Sequence, residues 1–277
     1  MTRSWTAQDA GRVLRRPTAS DDKYSRGVLG VRTGSDAYPG AAVLGVEAAW
    51  RTGLGMVRYL GPQRPTDLVL ARRPETVAAE GRVQAWLIGS GTDPSVRSAA
   101  EAETLRGLLH DTDPVVVDAG ALDLAAEATA PRILTPHDRE HARLRRALGL
   151  GPAGTDRAEA ARQTAEATGA VVLLKGAATM VAAPTGEVIE VSAGTPWLAT
   201  AGTGDVLAGV IGALTSGAMA QGQGADASSL ASIAASAAWL HGRAGRLASE
   251  ARGGGPITAL DVAEALPRAV AEALGTR

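Results

Sequence analysis

Short runs of β-branched and aliphatic residues alternate with helical stretches along most of this chain, and that alternation limits the folds open to it. The runs are Val28-Leu29-Gly30-Val31, Met56 to Leu60, Trp86-Leu87-Ile88, Val115-Val116-Val117, Ile133-Leu134 and Val171-Val172-Leu173-Leu174. Each is apolar on both faces, which suits strands covered above and below in a parallel sheet. Between them, helices are predicted over Ala41 to Arg51, Val96 to Leu109, Arg139 to Leu148 and Glu159 to Thr168. Such alternation predicts α/β layering around a central, mostly parallel sheet. After Lys175 the pattern changes. Thr179 to Ala183 and Glu187 to Val191 flank Pro184-Thr185-Gly186, a β-hairpin pattern. Helices follow over Asp205 to Ser216, over Asp226 to Ala251 and from Leu260 onward.

The 277 residues are ample for a core, and the glycine-rich pieces at Gly149 to Gly154 and Gly253 to Pro256 are short loops. With no repeat and no linker, residues 1–277 read as one domain. A net charge of −1 with no isolated Lys/Arg block argues against a dedicated nucleic-acid or anionic-membrane partner. The absence of cysteine removes disulfides, thiolate metal sites and a cysteine nucleophile. Thr6-Ala7-Gln8-Asp9 is a helix-capping signal, and the segment Met1 to Arg16 has no signal-peptide core. Ala225 to Leu240, the longest membrane suspect, holds Asp226 and several serines and reads as a buried alanine-rich helix. A cytoplasmic location is the resulting expectation.

Chemistry concentrates at Gly202-Thr203-Gly204-Asp205, followed at once by an apolar-striped helix carrying Val206, Leu207, Val210, Ile211 and Leu214 on one face. The N-terminus of such a helix offers free N–H groups and a positive dipole end, an anion hole formed by Gly202, Thr203 and Gly204. A carboxylate beside an anion site suits a general base or a metal ligand. The competing interpretation is a helix cap. Other strand ends are also chemistry-bearing: Gly89-Ser90-Gly91-Thr92, Asp118-Ala119-Gly120-Ala121, Thr135-Pro136-His137 and Lys175-Gly176-Ala177-Ala178-Thr179. Ligands of open α/β sheets bind beyond such ends, although turn formers are common there for purely structural reasons. Lys175 stands out, because lysine occurs only at positions 23 and 175. A point charge after four apolar residues and before a glycine suits a phosphate. Neither a P-loop nor an early Gly-x-Gly-x-x-Gly is present, so a nucleotide site must be of another type.

From about Lys23 to Leu266 these elements resemble the ADP/ATP-dependent NAD(P)H-hydrate dehydratases, a branch of the ribokinase-like fold. The resemblance rests on Gly34-Ser35, Tyr38 to Ala42, Arg51 to Val57, Gly89-Ser90-Gly91, Val117-Asp118-Ala119 and Thr135-Pro136-His137. It continues through Lys175 to Thr179, Ala199 to Gly209, Leu240-His241-Gly242 and Leu260-Asp261-Val262. Departures are Asp22-Lys23-Tyr24 for the family's His-Lys-Gly, Ser90 for the proline of Gly-Pro-Gly, and Gly120 for the second aspartate of Asp-Ala-Asp. Of the pattern Thr-Pro-His-Pro-Gly-Glu the first three residues are kept, with Asp138-Arg139-Glu140 following.

The resemblance implies a three-layer α/β/α fold and a repair reaction in which the S-epimer of hydrated NADH or NADPH loses water at the expense of ADP or ATP. It implies Asp205 as the catalytic base and a substrate contact, with Ala42, Gly91 and His137 lining the pocket for the hydrated dinucleotide. Lys175, Gly176, Ala177, Ala178, Thr179 and Gly204 would bind the nucleotide. Mg²⁺ is the implied companion ion, with no protein ligand assigned, and a homotetramer the implied assembly. Two other readings share the residues: a ribokinase-like kinase of a vitamin or sugar alcohol, and a non-catalytic nucleotide sensor.

Overall fold

Nine strands form one sheet in a computed structural model that describes residues 2–275. They are β1 (Thr2–Ser4), β2 (Val28–Arg32), β3 (Met56–Tyr59), β4 (Ala85–Ile88), β5 (Val115–Val117), β6 (Arg132–Leu134), β7 (Val171–Leu174), β8 (Thr179–Ala182) and β9 (Val188–Val191). Their spatial order is β1-β9-β8-β7-β6-β5-β4-β2-β3. Only the neighbours of β8 pair antiparallel to it; every other pairing is parallel. The hairpin expected around Pro184-Thr185-Gly186 is β8–β9, and β7–β8 is a second antiparallel pair.

Among the described residues nine α-helices cover the sheet: α1 (Ala7–Val13), α2 (Pro39–Thr52), α3 (Gln63–Arg72), α4 (Ala99–Leu109), α5 (Asp138–Ala147), α6 (Arg157–Thr168), α7 (Thr203–Ala220), α8 (Ala227–Glu250) and α9 (Ala259–Ala273). Successive strand residues point to opposite faces and so serve two cores. Val116, Ile133 and Leu173 enter the core shared with α2, α7, α8 and α9, whereas Val117, Leu134, Val172 and Leu174 enter the one beneath α4, α5 and α6. The three-layer α/β/α expectation is met.

Two elements have no counterpart in the sequence reading. β1 is three exposed residues paired only to β9, so it has no apolar signature. α3 buries only Pro65 and Val69, too narrow a stripe to register as periodic. The helix expected from Val96 begins at Ala99 instead, because Ser98 caps it by accepting from the Glu101 N–H, and Pro94–Val96 is a separate 3₁₀ turn. Thr6 does cap α1, in a capping box with Asp9. α8 is the alanine-rich buried helix anticipated over Asp226 to Ala251. α7 is long and apolar enough to cross a membrane by length and composition, yet 72% of it is buried inside the protein as a core helix.

Two close approaches set where α7 begins. A Cβ on Gly209 would collide with the Gly45 carbonyl, so α2 and α7 cross almost backbone to backbone. Gly202, at φ +89°, turns the chain into α7 through a conformation that suits glycine, with Leu44 Cδ1 only 2.5 Å from where its Cβ would stand. The α7 N-terminus is thereby fixed over the carboxyl ends of the central strands.

Candidate active site

Asp205 occupies the third position of α7, and the cap is Gly202, which has no side chain to offer. Among the described residues the Asp205 carboxylate accepts no hydrogen bond, so it does not act as a helix cap. Burial raises its pKa from 3.8 to about 7, and the Asp118 carboxylate pushes the same way against the smaller opposing pull of Lys175. The result is a carboxyl group poised to exchange a proton near neutral pH.

Asp118 follows β5 and is 2% exposed. Its Oδ1 accepts from Lys175 Nζ at 2.9 Å and from Thr135 Oγ1 at 2.7 Å, and its Oδ2 accepts from Ser90 Oγ at 2.8 Å. Burial works against ionisation of Asp118, but the ammonium and these hydrogen bonds outweigh it and hold the pKa below its ordinary value. Lys175 is likewise opposed by burial and held charged by Asp118 and by Glu140, whose Oε2 lies 3.9 Å away. The strand ends after β4, β5, β6 and β7 therefore meet in one polar network. Just past Asp118, Ala119 has φ +44°, the one non-glycine residue at positive φ among the described residues. Backbone strain of this sort clusters at ligand-binding turns.

Gly204 faces this network: a Cβ there would stand 3.6 Å from Lys175 Nζ. The Thr203 hydroxyl points away, donating to the carbonyls of Leu198 and Thr200, and so ties down the approach loop. His241 of α8 backs the same turn. Burial pulls its pKa to about 4, leaving it neutral, and its Nε2 has no partner among the described residues. The Lys175–Thr179 turn joins β7 to β8, and Arg157 steadies it by donating to the Lys175 carbonyl at 2.8 Å.

On the opposite side, Gly91 lies against Ala41 and the Tyr38 carbonyl. Ala42 is fully buried against Gly34, so it forms wall rather than open surface. His137 caps α5: its Nδ1 accepts from the N–H groups of Arg139 and Glu140, while Glu140 accepts from the His137 N–H at 2.8 Å. The six-residue pattern Thr135 to Glu140 thus keeps its glutamate as well as its first three residues. The His137-x-x-Glu140 spacing is that of a capping box, a signal that singles out Glu140 from sequence. Asp118, Ser90 and Thr135 stand out only as a set of strand ends. No group of three or more His, Asp or Glu side chains converges for a metal among the described residues.

The sheet with its one reversed strand, and an unpaired acid at a helix N-terminus facing a partly buried lysine, have the arrangement of the ribokinase-like fold. A ribokinase-like superfamily protein from Enterococcus faecalis has the same fold, with TM-score 0.80 at 23% identity over 98% of this chain and 96% of that one. The chain belongs to the NAD(P)H-hydrate dehydratase family, whose model matches residues 29–268.

It is 35% identical to the ADP-dependent (S)-NAD(P)H-hydrate dehydratase of Neisseria meningitidis over 263 residues, covering 87% of this chain and 83% of that enzyme. Over 222 residues it is 47% identical to the bifunctional NAD(P)H-hydrate repair enzyme of Mycobacterium tuberculosis, covering 76% of this chain and 45% of that one. It spans about half the length of the bifunctional relatives it matches. Among solved structures it resembles an ADP/ATP-dependent NAD(P)H-hydrate dehydratase from Bacillus subtilis co-crystallised with ATP and Mg²⁺, with TM-score 0.82 and 27% identity over 98% of this chain and 99% of that one.

Proposed function

We propose that this protein dehydrates the S-epimer of hydrated NADH or NADPH, coupling the loss of water to cleavage of ADP or ATP. The observation that carries the reading is Asp205: partly buried, its carboxylate without a hydrogen-bond donor among the described residues, its pKa raised to about 7, at a helix N-terminus beside Lys175. Asp205 takes the proton of the ring hydroxyl as that oxygen attacks the terminal phosphorus, and the shortened nucleotide departs. The N–H groups at Gly202, Thr203 and Gly204 and the Lys175 ammonium face the charge that develops on the transferred group. The new phosphate ester sits on the carbon next to the ring nitrogen, whose lone pair expels inorganic phosphate. Loss of a proton from the adjacent ring carbon then restores the dihydronicotinamide.

In this reading Lys175, Gly176, Ala177, Ala178, Thr179 and Gly204 hold the nucleotide, while Ala42, Gly91 and His137 line the dinucleotide side. Mg²⁺ fits as the ion of the nucleotide rather than as a resident metal, because Asp118 and Glu140 are already turned toward Lys175. Phosphate oxygens and water would supply most of its ligands, with Asp118 or Asp205 as the nearest carboxylates. When bound it neutralises phosphate charge. By the same family resemblance, a single dehydratase domain over residues 1–277, a homotetramer and a cytoplasmic location are proposed. Met1, Thr276 and Arg277 of that span lie outside the described residues.

The test is incubation with hydrated NADH plus ADP or ATP. Recovery of dihydronicotinamide absorbance with stoichiometric inorganic phosphate is expected. A stable phosphorylated alcohol from a vitamin or sugar panel, with no NADH recovered, would establish the kinase reading instead.

A further inference from the structure

A cavity of about 580 Å³ opens beside the polar network, lined by none of the Lys175–Thr179 residues. Gly91, Ala119, Gly120 and Glu140 line its inner end, each within two residues of a member of the Ser90–Asp118–Lys175 network or directly facing it. Its volume is in the range of small-molecule sites. The far wall is apolar, built by Pro94, Leu122, Ala126, Leu144 and Ala147. Tyr38, 61% exposed at the rim, has a ring free to stack on a planar group.

The charges around this cavity are unequal in their commitments. Asp123 pairs with Arg97 at 2.8 Å, Asp93 accepts from the N–H and hydroxyl of Ser95, and Glu140 accepts from the His137 N–H. Arg143, on the exposed face of α5, makes no hydrogen bond or ion pair among the described residues. One uncommitted guanidinium therefore stands at an apolar hollow with an aromatic rim. A purine nucleoside carrying a phosphate group matches that arrangement, since guanidinium binds phosphate bidentately.

We propose that this cavity receives the adenosine half of the hydrated dinucleotide, with Tyr38 under the adenine and Arg143 on the ribose 2′-phosphate. The assignment rests on the dehydratase reading above and adds a specificity determinant to it: Arg143 favours the NADPH hydrate over the NADH hydrate.

The experiment measures KM for both hydrates, and for ADP or ATP, in wild type, Arg143→Ala, Ala126→Trp and Ala147→Trp. All three positions are exposed, so the variants keep the fold. Arg143→Ala should raise KM for the NADPH hydrate on the order of tenfold or more, the effect of one charge-assisted contact. KM for the NADH hydrate and for the nucleotide should stay unchanged. Either tryptophan fills the cavity and should raise KM for both hydrates while leaving the nucleotide alone. An equal rise for both hydrates with Arg143→Ala would overturn the 2′-phosphate assignment, and unchanged KM values in the tryptophan variants would overturn the cavity assignment.

Should the wild type recover no NADH or NADPH from either hydrate, the dehydratase reading fails by itself. The cavity is then judged by calorimetric titration with ADP-ribose and its 2′-phosphate, with the nucleotide site filled by a non-hydrolysable ATP analogue. A preference for the 2′-phosphate that Arg143→Ala removes supports the assignment; equal binding of the two overturns it.

Discussion

Two carboxylates on the crossing helices α2 and α7, one fully buried and one partly buried, show opposite electrostatic outcomes. Glu47, in the middle of α2, has a fully buried side chain that meets Arg51 at 2.7 Å, Arg73 at 2.5 Å and Arg72 at 3.3 Å. Burial would raise its pKa, yet the three guanidinium groups pull it down to about 2. Asp205, at the start of α7, is pushed by burial to about 7, with a second carboxylate raising it further and only one lysine opposing. Burial is the largest influence on both. What differs is how many donors converge on the oxygens, and only the unsatisfied group is free to do proton chemistry. The satisfied one locks α2 to α3.

The comparison is broken most severely by exchanging the acid at the reactive position. Asp205→Asn should lower turnover by roughly 10²–10⁴ while sparing nucleotide binding, the usual loss for a general base. The same variant should gain stability at pH 8. The folded pKa lies above the unfolded 3.8, so ionising Asp205 weighs on the fold progressively from about pH 4 to pH 7 and fully above it. The gain is a few kcal/mol at most, shrinking toward pH 4, and chemical denaturation at both pH values reads it. Wild-type turnover in the Asn variant would make Asp205 a structural residue like Glu47.

Glu47→Gln should do the reverse, costing about 3–5 kcal/mol of stability by leaving three arginines without their shared partner. The rate per folded molecule should hold. Because the folded pKa of Glu47 is depressed, its contribution is present above about pH 4.5 and is lost as the pH falls toward 2. A stability difference between variant and wild type that persists unchanged at pH 2 would contradict this.

Smaller effects sharpen the comparison. Lys175→Ala should weaken ADP and ATP by about 1.5–3 kcal/mol in calorimetric titration, with less effect on the hydrated dinucleotide. It also removes the cation that lowers the Asp205 pKa, so the acid limb of the pH–rate profile, expected near pH 7 in wild type, should move to higher pH. Equal nucleotide binding in variant and wild type would take Lys175 out of the site. Asp118→Asn removes the anion that raises the Asp205 pKa and should move that limb to lower pH, by more than Lys175→Ala moves it upward. An unmoved limb would mean the two carboxylates do not sense each other.

Much of this architecture was legible in the chain because its causes are local. Val115-Val116-Val117 and Val171 to Leu174 announce covered strands, and Pro184-Thr185-Gly186 announces a turn, whatever lies around them. Gly202 to Asp205 announces an anion-binding helix start for the same reason: glycine conformation and helix-end polarity belong to a few consecutive residues. β1 and α3 went unseen because edge pairing and a single buried valine leave almost no periodic trace.

The electrostatics were decided elsewhere. Asp118 and Lys175 are 57 residues apart and meet only because β5, β6 and β7 are neighbours in the sheet. Arg72 and Arg73 reach Glu47 from α3 across 25 and 26 residues. In sequence, Glu47 is one acid among alanines and Asp205 one acid after glycines. Which becomes a satisfied ion pair and which a titrating base depends on the groups that tertiary packing brings to each and on the water it removes. Local sequence sets backbone shape; a pKa is set by everything within several ångströms, and that neighbourhood exists only once the chain has folded.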